Sequence, residues 1–549
     1  MTDKRQFLHF NFKKDISIYL LWALVILFFA ITVVYPLFCL ALTPTAHDFF
    51  AVLTSKVWHT AILNTALECI CSTTLSVATG YIFAYAVVRG QIPLAKFFGA
   101  IPILHLVTPP FVGGLSFILL LGRRGFITST ILGLDISLYG FWGLLIAQVF
   151  CFFPIAYLIC SQTLKGINPS FEQAARGMGA SRARIFLTIT LPLSLPGILS
   201  AALFIAVSVL SDFGNPMIVA GRFKVLAVEI YTQLTGWTNA GTSAVLGLIL
   251  VIPSIILFIF QNRLVKKEAG KTATIGGKGQ GLPQKKSSII TKIFLTIFCA
   301  LVSLAVLAQF AALVAGAFQK LWGIKTDFTT EHIKSIFNYI PELRNSILFA
   351  LAASLLSVFV SSLTSYLVQR TALPAKRFLD VVSQLAAAIP GSLFGLAFSL
   401  AANKLNFRNS PTMIVIAIAI GFMPFSYRIL TSSFVQIKNT LDDGASSLGA
   451  GKLKILTSIL IPISTEGIFS AFIYNFVRGV GTMSAVIFLV SFKTPLTSLK
   501  ILNLAEEGFW GKAASLSLVL TLLTFAVLGL GKLLLKIRRT SWKIKSGSN

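Results

Sequence analysis

Six ionisable side chains lie inside long apolar stretches of the sequence, where a charge is costly unless it meets a partner or a water-filled cavity. They are Glu68, Asp212, Asp380, Arg428, Glu466 and Arg478. Asp380 and Glu466 lie near the ends of their stretches, so snorkelling or helix capping is the simpler explanation for them. Asp212 and Arg478 lie deeper, in equivalent stretches. We expect them, together with Glu68 and Arg428, to line a polar pathway through a membrane, and a structural ion pair between opposite charges is the alternative.

Two sites in equivalent apolar stretches predict a broken helix. Asp212 is followed by Phe213, a glycine, Asn215 and a proline, a run that would unwind the helix and free backbone carbonyls. In the corresponding place of a later stretch, Thr482 and Met483 follow two closely spaced glycines. We expect these two breaks to form an outer gate on the pathway.

The chemistry of these side chains leaves the transported species open. A ferric ion prefers hard oxygen ligands, of which Glu68 and Asp212 offer few. A phosphonate or a sugar phosphate would instead favour Arg428 and Arg478. We predict no catalytic residues and no resident metal site. The six cysteines lie in apolar runs without nearby histidines, which is typical of small buried hydrophobic residues.

Composition places these residues in an integral membrane protein. Of 549 residues, 56% are hydrophobic and only 12% are charged, whereas about a quarter of the residues in a soluble chain are charged. The net charge of +28 comes from basic residues in short loops between apolar runs, not from a basic face on a polar domain. Nucleic-acid binding is therefore excluded.

Twelve apolar stretches are long enough to cross a bilayer, so we predict an all-α polytopic fold. They lie at 17–42, 60–88, 97–121, 139–163, 196–220, 240–262, 293–318, 345–369, 378–402, 412–436, 464–491 and 511–535. With both termini in the cytoplasm, 30 of the 46 Lys and Arg residues lie on the cytoplasmic side.

The organisation along the chain follows from these spans. We divide the chain into an N-terminal tail with the first span (1–59), a first repeat (60–262), a cytoplasmic linker (263–292), a seventh span with a periplasmic segment (293–344), a second repeat (345–537) and a cytoplasmic tail (538–549). The linker is rich in glycine and lysine.

The two halves of the chain are parallel copies of one unit of six spans, and each half contains one of these repeats. Four pairs of residues differ by 270 in number, and two earlier pairs differ by 281. The pairs are Gly179 with Gly449, Ile189 with Ile459, Pro192 with Pro462, Gly197 with Gly467, Asn64 with Asn345 and Pro93 with Pro374.

The most similar part of the two repeats is a cytoplasmic loop, at 168–192 and 438–462. The first loop predicts a short helix that starts near Pro169 and Ser170, with Glu172 in its first turn, where an acidic residue suits the helix dipole. Gly179 should interrupt this helix. A second short helix should follow it and stop at Pro192.

The spacing in both loops resembles the EAA loop of ABC importer permeases: E-A-A, a glycine at the seventh position and I-x-L-P at the seventeenth to twentieth. The first loop fits with Gln173, Ala174, Ala175, Gly179, Ile189, Leu191 and Pro192, and the second with Asp443, Ala445, Gly449, Ile459 and Pro462. Where the family has Glu, this chain has Gln173 and Asp443, each preceded by an acidic residue, Glu172 or Asp442. The departure leaves open which acidic residue makes the family's contact.

This resemblance implies the fold and the partners. Each loop would present a coupling helix to a groove of an ATP-hydrolysing subunit, which is expected to be a homodimer and to hold ATP and Mg²⁺. This chain has no GxxxxGK[ST] loop of its own and is expected to bind no cofactor. The family also implies a bacterial inner membrane, a type I importer fold, and a separate periplasmic or lipoprotein binding protein that captures the cargo.

The rest of each repeat is similar to the fused permeases of the ferric-iron type. The runs SVLSDFGNPMIVAG and GTMSAVIFLVSFKTPLTSLK carry this similarity. Fused relatives are also associated with aminoethylphosphonate, sugar phosphates and thiamine, so iron is the expectation and an organic solute the alternative. A secondary transporter would not explain paired EAA loops, and a purely structural membrane protein would not explain the charges within spans.

Overall fold

A computed structural model of the protein describes residues 16–134, 138–275, 288–407 and 410–545. Most of these residues lie in helices, and one short hairpin is formed by β1 (Gln319–Leu321) and β2 (Lys325–Phe328). The helices are α1 (Ile16–Phe29), α2 (Tyr35–Ala41), α3 (Ala46–Thr54), α4 (Lys56–Val88), α5 (Ala95–Val107), α6 (Pro110–Leu121), α7 (Phe141–Gly166), α8 (Pro169–Gly177), α9 (Arg182–Ile185), α10 (Leu191–Leu210), α11 (Gly214–Val219), α12 (Leu226–Thr235), α13 (Ala240–Ile275), α14 (Ile289–Phe318), α15 (Glu331–Lys334), α16 (Ile340–Arg370), α17 (Lys376–Leu385), α18 (Gly391–Lys404), α19 (Ser410–Val435), α20 (Thr440–Ser447), α21 (Lys452–Ile455), α22 (Ile461–Ile463), α23 (Thr465–Val480), α24 (Thr497–Glu506) and α25 (Trp510–Lys545).

Within the described residues, nine helices are long and apolar enough to cross a membrane. Lys452–Ile463 and Thr465–Val480 meet at a bend of 76° and pass the same test together, which makes ten crossings if the pair is one span. The predicted multi-pass, all-α fold is therefore confirmed.

Two of the twelve predicted spans are built from two short helices rather than one. At 97–121, α5 is followed by Thr108 and Pro109 in extended conformation before α6 begins at Pro110. At 378–402, the extended Pro390 separates α17 from α18. Proline lacks the amide hydrogen that a helix needs and disfavours helical geometry in the residue before it, which explains both breaks.

The two repeats share local structure as well as sequence. Asn64 Nδ2 donates to the carbonyl oxygen of Lys224 (3.0 Å), and Asn345 Nδ2 donates to that of Pro495 (3.1 Å). Each contact ties the second span of its repeat to the segment before α12 or α24. The predicted pairing of Asn64 with Asn345 thus corresponds to one structural role performed twice.

The first span of each half packs on the other half. Helices α1 and α2 lie against α16, α17 and α18, and Trp22 Nε1 on α1 donates to the carbonyl oxygen of Pro374 (3.0 Å). Conversely, α14 contacts α4, α5 and α6 as well as α25. This exchange of spans joins the halves into one bundle.

The predicted linker at 263–292 is helical at both of its ends. Helix α13 continues to Ile275 and α14 begins at Ile289. Residues 276–287, which carry most of the glycines of the predicted linker, lie outside the described residues.

Candidate translocation pathway and coupling loops

The first coupling loop begins with α8, which starts at Pro169 as predicted. Asn168 is the N-cap residue, and its side-chain oxygen accepts a hydrogen bond from the amide of Ser170 (3.0 Å). Pro169 occupies the first helical position, where its missing amide hydrogen is not needed. Glu172 lies in the first turn, at the positive end of the helix dipole.

Both coupling helices end at a glycine in the left-handed conformation. Gly179 and Gly449 each have φ = +84°. Ala180 N donates to Ala175 O (3.0 Å), and Ala450 N donates to Ala445 O (3.0 Å), which is the hydrogen bond of a Schellman cap. The glycine of the EAA motif is therefore required by backbone geometry.

The chain leaves the two loops differently. π-Helical turns at 186–190 and 456–460 stand just before the paired prolines, at equivalent positions. In the first half this turn leads directly into α10, so the prediction that Pro192 ends the helix is wrong. In the second half the chain bends at Ser464, two residues after Pro462.

A buried arginine tethers the first coupling helix. Arg89, just after α4, donates through Nη2 to the carbonyl oxygens of Leu164 (2.9 Å) and Ile167 (2.7 Å), where α7 ends. Its Nη1 lies 3.9 Å from Glu172 Oε1 on α8. Glu172 also accepts a hydrogen bond from Thr190 Oγ1 (3.1 Å) and is buried.

Arg370 performs the same role in the second half. Its guanidinium donates to the carbonyl oxygens of Phe434 and Ile437 and to Asn439 Oδ1. Its Nη1 lies 3.2 Å from Asp442 Oδ2 on α20. We call these two arrangements the arginine tethers. The first connects α4, α7 and α8, and the second connects α16, α19 and α20.

The tethers direct the first-turn acids of both coupling helices inward. Desolvation raises the pKa of Asp442 above its ordinary value, while the nearby Arg370 acts in the opposite direction. Gln173 is half-buried and Asp443 is exposed, and both stand at the family's Glu position. Each of them is more exposed than the acidic residue that precedes it, Glu172 or Asp442.

The tips of both loops are apolar and exposed. Met178 is 82% exposed and Leu448 is 91% exposed, and these two residues occupy equivalent positions. Ala174 is exposed and Ala445 half-buried, while Ala175 packs inward. The small residues and the exposed tips give each loop a surface that another protein could approach closely.

A polar cluster occupies the interior of the first half. Gln148 Nε2 on α7 donates to Glu68 Oε1 on α4 (2.5 Å) and to Asp212 Oδ2 after α10 (3.1 Å). Ser72 Oγ donates to Gln148 Oε1 (2.7 Å), and Asn215 Nδ2 donates to Asp212 Oδ2 (2.9 Å). All five side chains are buried, so one amide joins both carboxylates away from water.

The second half has no such cluster at the equivalent positions. By the repeat spacing, Glu68 corresponds to Phe349, Gln148 to Ile418 and Asp212 to Thr482. The fold is therefore built once with two apolar residues and a threonine, and once with two carboxylates and an amide. The fold by itself therefore does not require the two carboxylates and the amide of the first half.

Helix breaks lie near both predicted places, but the first comes earlier than predicted, at 211–213, because Gly214, Asn215 and Pro216 belong to α11. Helix α10 ends at Leu210 and α11 begins at Gly214, whereas α23 ends at Val480. Phe213 and Met483 belong to one buried apolar cluster that joins the halves. A Cβ on Gly481 would lie 2.7 Å from the Pro109 side chain of the other half.

The deeper arginines lie in separate places. Arg478 lines a small cavity, about 20 Å³, with His105, Pro109 and Cys151 of the first half. Arg428 instead donates to Asn262 Oδ1 (2.7 Å), near the coupling-loop end of the bundle. The structure therefore does not bring Arg428 to the helix breaks.

The two acidic residues assigned to span ends have different surroundings. Asp380 Oδ1 accepts hydrogen bonds from Tyr427 Oη (2.8 Å) and Gln384 Nε2 (2.9 Å). The Asp380 side chain is therefore part of a hydrogen-bond network between side chains and does not snorkel toward the membrane surface. Glu466 is exposed in the first turn of α23, beside the Ser464 bend, as expected for a residue near a span end.

Four residues of these sites were not predicted: Arg89, Arg370, Gln148 and Ser72. The two arginines had been counted only as part of the cytoplasmic excess of positive charge. Their number difference of 281, shared with Asn64 and Asn345, was the signal that could have found them. Gln148 and Ser72 are neutral residues in apolar spans and carry no comparable signal.

Comparison with known proteins identifies the family. The family of binding-protein-dependent transport system inner membrane components matches residues 76–269 and 374–539. The chain belongs to this family. Each matched segment overlaps one of the two predicted repeats and contains one EAA loop, so the family domain occurs twice, as the internal repeat indicated.

Two similar proteins are named as ferric transport permeases. The chain is 31% identical over 456 residues to the ferric transport system permease protein FbpB of Actinobacillus pleuropneumoniae, with 79% of this chain covered. It is 32% identical over 422 residues to a putative ferric transport system permease protein, FbpB 1, of Haemophilus influenzae, with 73% covered. The match spans 65% of the length of each relative.

A solved structure of a bacterial alginate ABC transporter, in complex with an alginate-pentasaccharide-bound periplasmic protein, also matches this chain. The match has 18% sequence identity and a TM-score of 0.41, and it covers 47% of this chain and 96% of that chain.

Proposed function

We propose that this chain is the membrane-spanning permease of an ATP-driven, binding-protein-dependent importer. The observation that carries the proposal is the pair of equivalent coupling loops in a chain of this family, each with its left-handed glycine and arginine tether. The chain itself performs transport and is not an enzyme. Partner subunits bind ATP and Mg²⁺ and hydrolyse the nucleotide.

Helices α8 and α20 make the contact with the ATPase subunits. They lie on the cytoplasmic side of the membrane, where both ends of the chain also lie. Because Glu172 and Asp442 are held by the tethers, the residues that face the ATPase groove are Gln173 on one loop and Asp443 on the other. The exposed Met178 and Leu448 supply matching apolar contacts. One chain therefore presents two unequal docking surfaces to two ATPase subunits.

Transport follows alternating access. Phe213 and Met483, which belong to one buried apolar cluster, would form the gate that closes the pathway at the helix breaks. Closure of the ATPase pair would draw the coupling helices together and separate these breaks. A docked binding protein then releases its cargo between α10 and α23, on the side where Thr482 also lies.

Ferric ion is the cargo that the relatives support, since both are named as ferric transport permeases. The polar cluster of Glu68, Gln148 and Asp212 provides the hard oxygen atoms that such an ion prefers. Arg478, in its small cavity near the breaks, favours the alternative of a phosphonate or sugar phosphate.

Co-purification tests the coupling role. A non-glycine residue in left-handed geometry costs roughly 1–2 kcal/mol. Gly179→Ala and Gly449→Ala should therefore reduce the amount of ATPase that co-purifies with the tagged chain. Gly177→Ala and Gly444→Ala are matched controls, because both glycines lie within the coupling helices and a Cβ there meets nothing within 4 Å. Equal recovery with all four variants would contradict the assignment.

A further inference from the structure

A cavity of about 860 Å³ opens at the end of the bundle opposite the coupling loops. Helix α7 begins beside it at Phe141 and ends at Gly166, next to the first loop. The walls come from residues after α6, from the β1–β2 hairpin with the segment that follows it, and from the start of α25. The site is therefore far from the surfaces used for coupling, and its volume suits a small ligand.

The walls are held together by close contacts, two of which join the halves. A Cβ on Gly323 would lie 2.6 Å from the carbonyl oxygen of Arg124 in the first half, and Trp322 Nε1 donates to the carbonyl oxygen of Leu119 (3.1 Å). Within the second half, a Cβ on Gly511 would lie 2.3 Å from His332 Nε2. The cavity is thus a defined structural feature whose two sides belong to different halves.

The lining carries strong positive charge. Arg123, Arg124, Lys320 and Lys512 all line the cavity, and none of the described residues that line it is acidic. Lys512 Nζ lies 4.9 Å from the centre of the Phe509 ring. Arg124, Lys320 and Lys512 bring three like charges to one cavity, and an anion in the cavity would be attracted to them.

We propose that this cavity binds a small multivalent oxyanion, through phosphate or carboxylate groups. Guanidinium groups bind such groups with paired hydrogen bonds, and lysines add point charges. The oxyanion could be a free ion or a phospholipid headgroup, which share this chemistry. Because the walls come from both repeats, a bound anion would stabilise the arrangement in which these outer segments stay together.

The test measures binding to the purified full-length chain, without transport and without any ATPase. Inorganic phosphate and citrate are titrated against the chain in detergent. In parallel, retention of phosphatidylglycerol is compared with retention of phosphatidylcholine in nanodiscs by native mass spectrometry. The variants are Arg124→Ala with Lys320→Ala, and Lys325→Ala as the control, because Lys325 lies on the same hairpin but does not line the cavity.

We expect saturable binding of phosphate, citrate or phosphatidylglycerol that weakens by about tenfold or more in the double variant, because two charge-assisted contacts are lost. Binding to the control should change by less than about twofold. Preference for phosphatidylglycerol alone would assign the anion to a headgroup. If no probe binds saturably, or if the double variant binds like the wild type, the proposal is overturned. If the double variant does not fold, the single variant Lys320→Gln, on the exposed hairpin, replaces it in the same binding measurements.

Discussion

The arginine tether makes a quantitative prediction for Arg89→Met, which removes the guanidinium and keeps an unbranched stem. The Arg89 side chain is 7% exposed and has three partners at the junction of α4, α7 and α8. Removing one partner of a buried charge pair costs about 3–5 kcal/mol. Because the separation from Glu172 is long at 3.9 Å, we expect the lower end, about 3 kcal/mol.

This loss should appear as local opening of the coupling helix. With a factor of ten for each 1.4 kcal/mol, α8 should open roughly a hundredfold more often. Hydrogen–deuterium exchange of the purified chain measures this directly in peptides that cover 169–177. Exchange in the equivalent helix at 440–447 should not change. Arg370→Met should show the reverse pattern.

Arg184→Met is the matched control, because Arg184 is an exposed arginine of the same loop whose side chain takes no part in the tether. It should leave exchange at 169–177 unchanged. Unaltered exchange at 169–177 in Arg89→Met, or an equal increase in both loops, would refute the reasoning. The first result would show that the tether carries no stability, and the second that the variant unfolds globally.

Three further predictions follow from the same structure. Asp212→Asn keeps the shape of the polar cluster but removes a charge, so uptake in reconstituted vesicles should fall while the ATPase still co-purifies; unchanged uptake would remove Asp212 from the pathway. Gly197→Val should destabilise the fold by about 1–3 kcal/mol, measured by thermal unfolding, because a Cβ there would lie 2.1 Å from Thr163 Oγ1; an unchanged melting temperature would contradict this. Because the folded-state pKa of Asp442 is raised, α20 should be more stable at pH values below the ordinary pKa of aspartate and lose that stability as the pH rises through the raised value. Asp442→Asn should abolish this pH dependence of exchange, corrected for intrinsic rates, and a persistent dependence would assign it to another group.

The coupling loops were predictable because they depend on local sequence chemistry. Gly179 and Gly449 end helices through backbone geometry that few other residues adopt, and their equal spacing in both repeats made them visible. The helix breaks after Asp212 and before Thr482 were predictable for the same reason, since glycine and proline weaken helices locally.

The contacts between distant elements were not predictable from one sequence. Arg89 and Arg370 looked like ordinary loop cations, and only the fold brings them to the carbonyl ends of α7 and α19. Gln148 joins Glu68 to Asp212 across three helices, and a neutral amide gives no hydropathy signal that marks such a role. Pro192 misled for the opposite reason, because a π-helical turn accommodates it and lets the helix continue.

The central claim is tested most directly by uptake in vesicles. The chain is reconstituted with its ATPase and binding protein, and accumulation of radiolabelled ferric ion, aminoethylphosphonate and hexose phosphate is measured in parallel. We predict accumulation of ferric ion that requires both internal ATP and the binding protein, and that is lost in the Gly179→Ala, Gly449→Ala double variant. Accumulation that proceeds without the ATPase would contradict the account, and accumulation of only an organic phosphate would contradict its assignment of cargo.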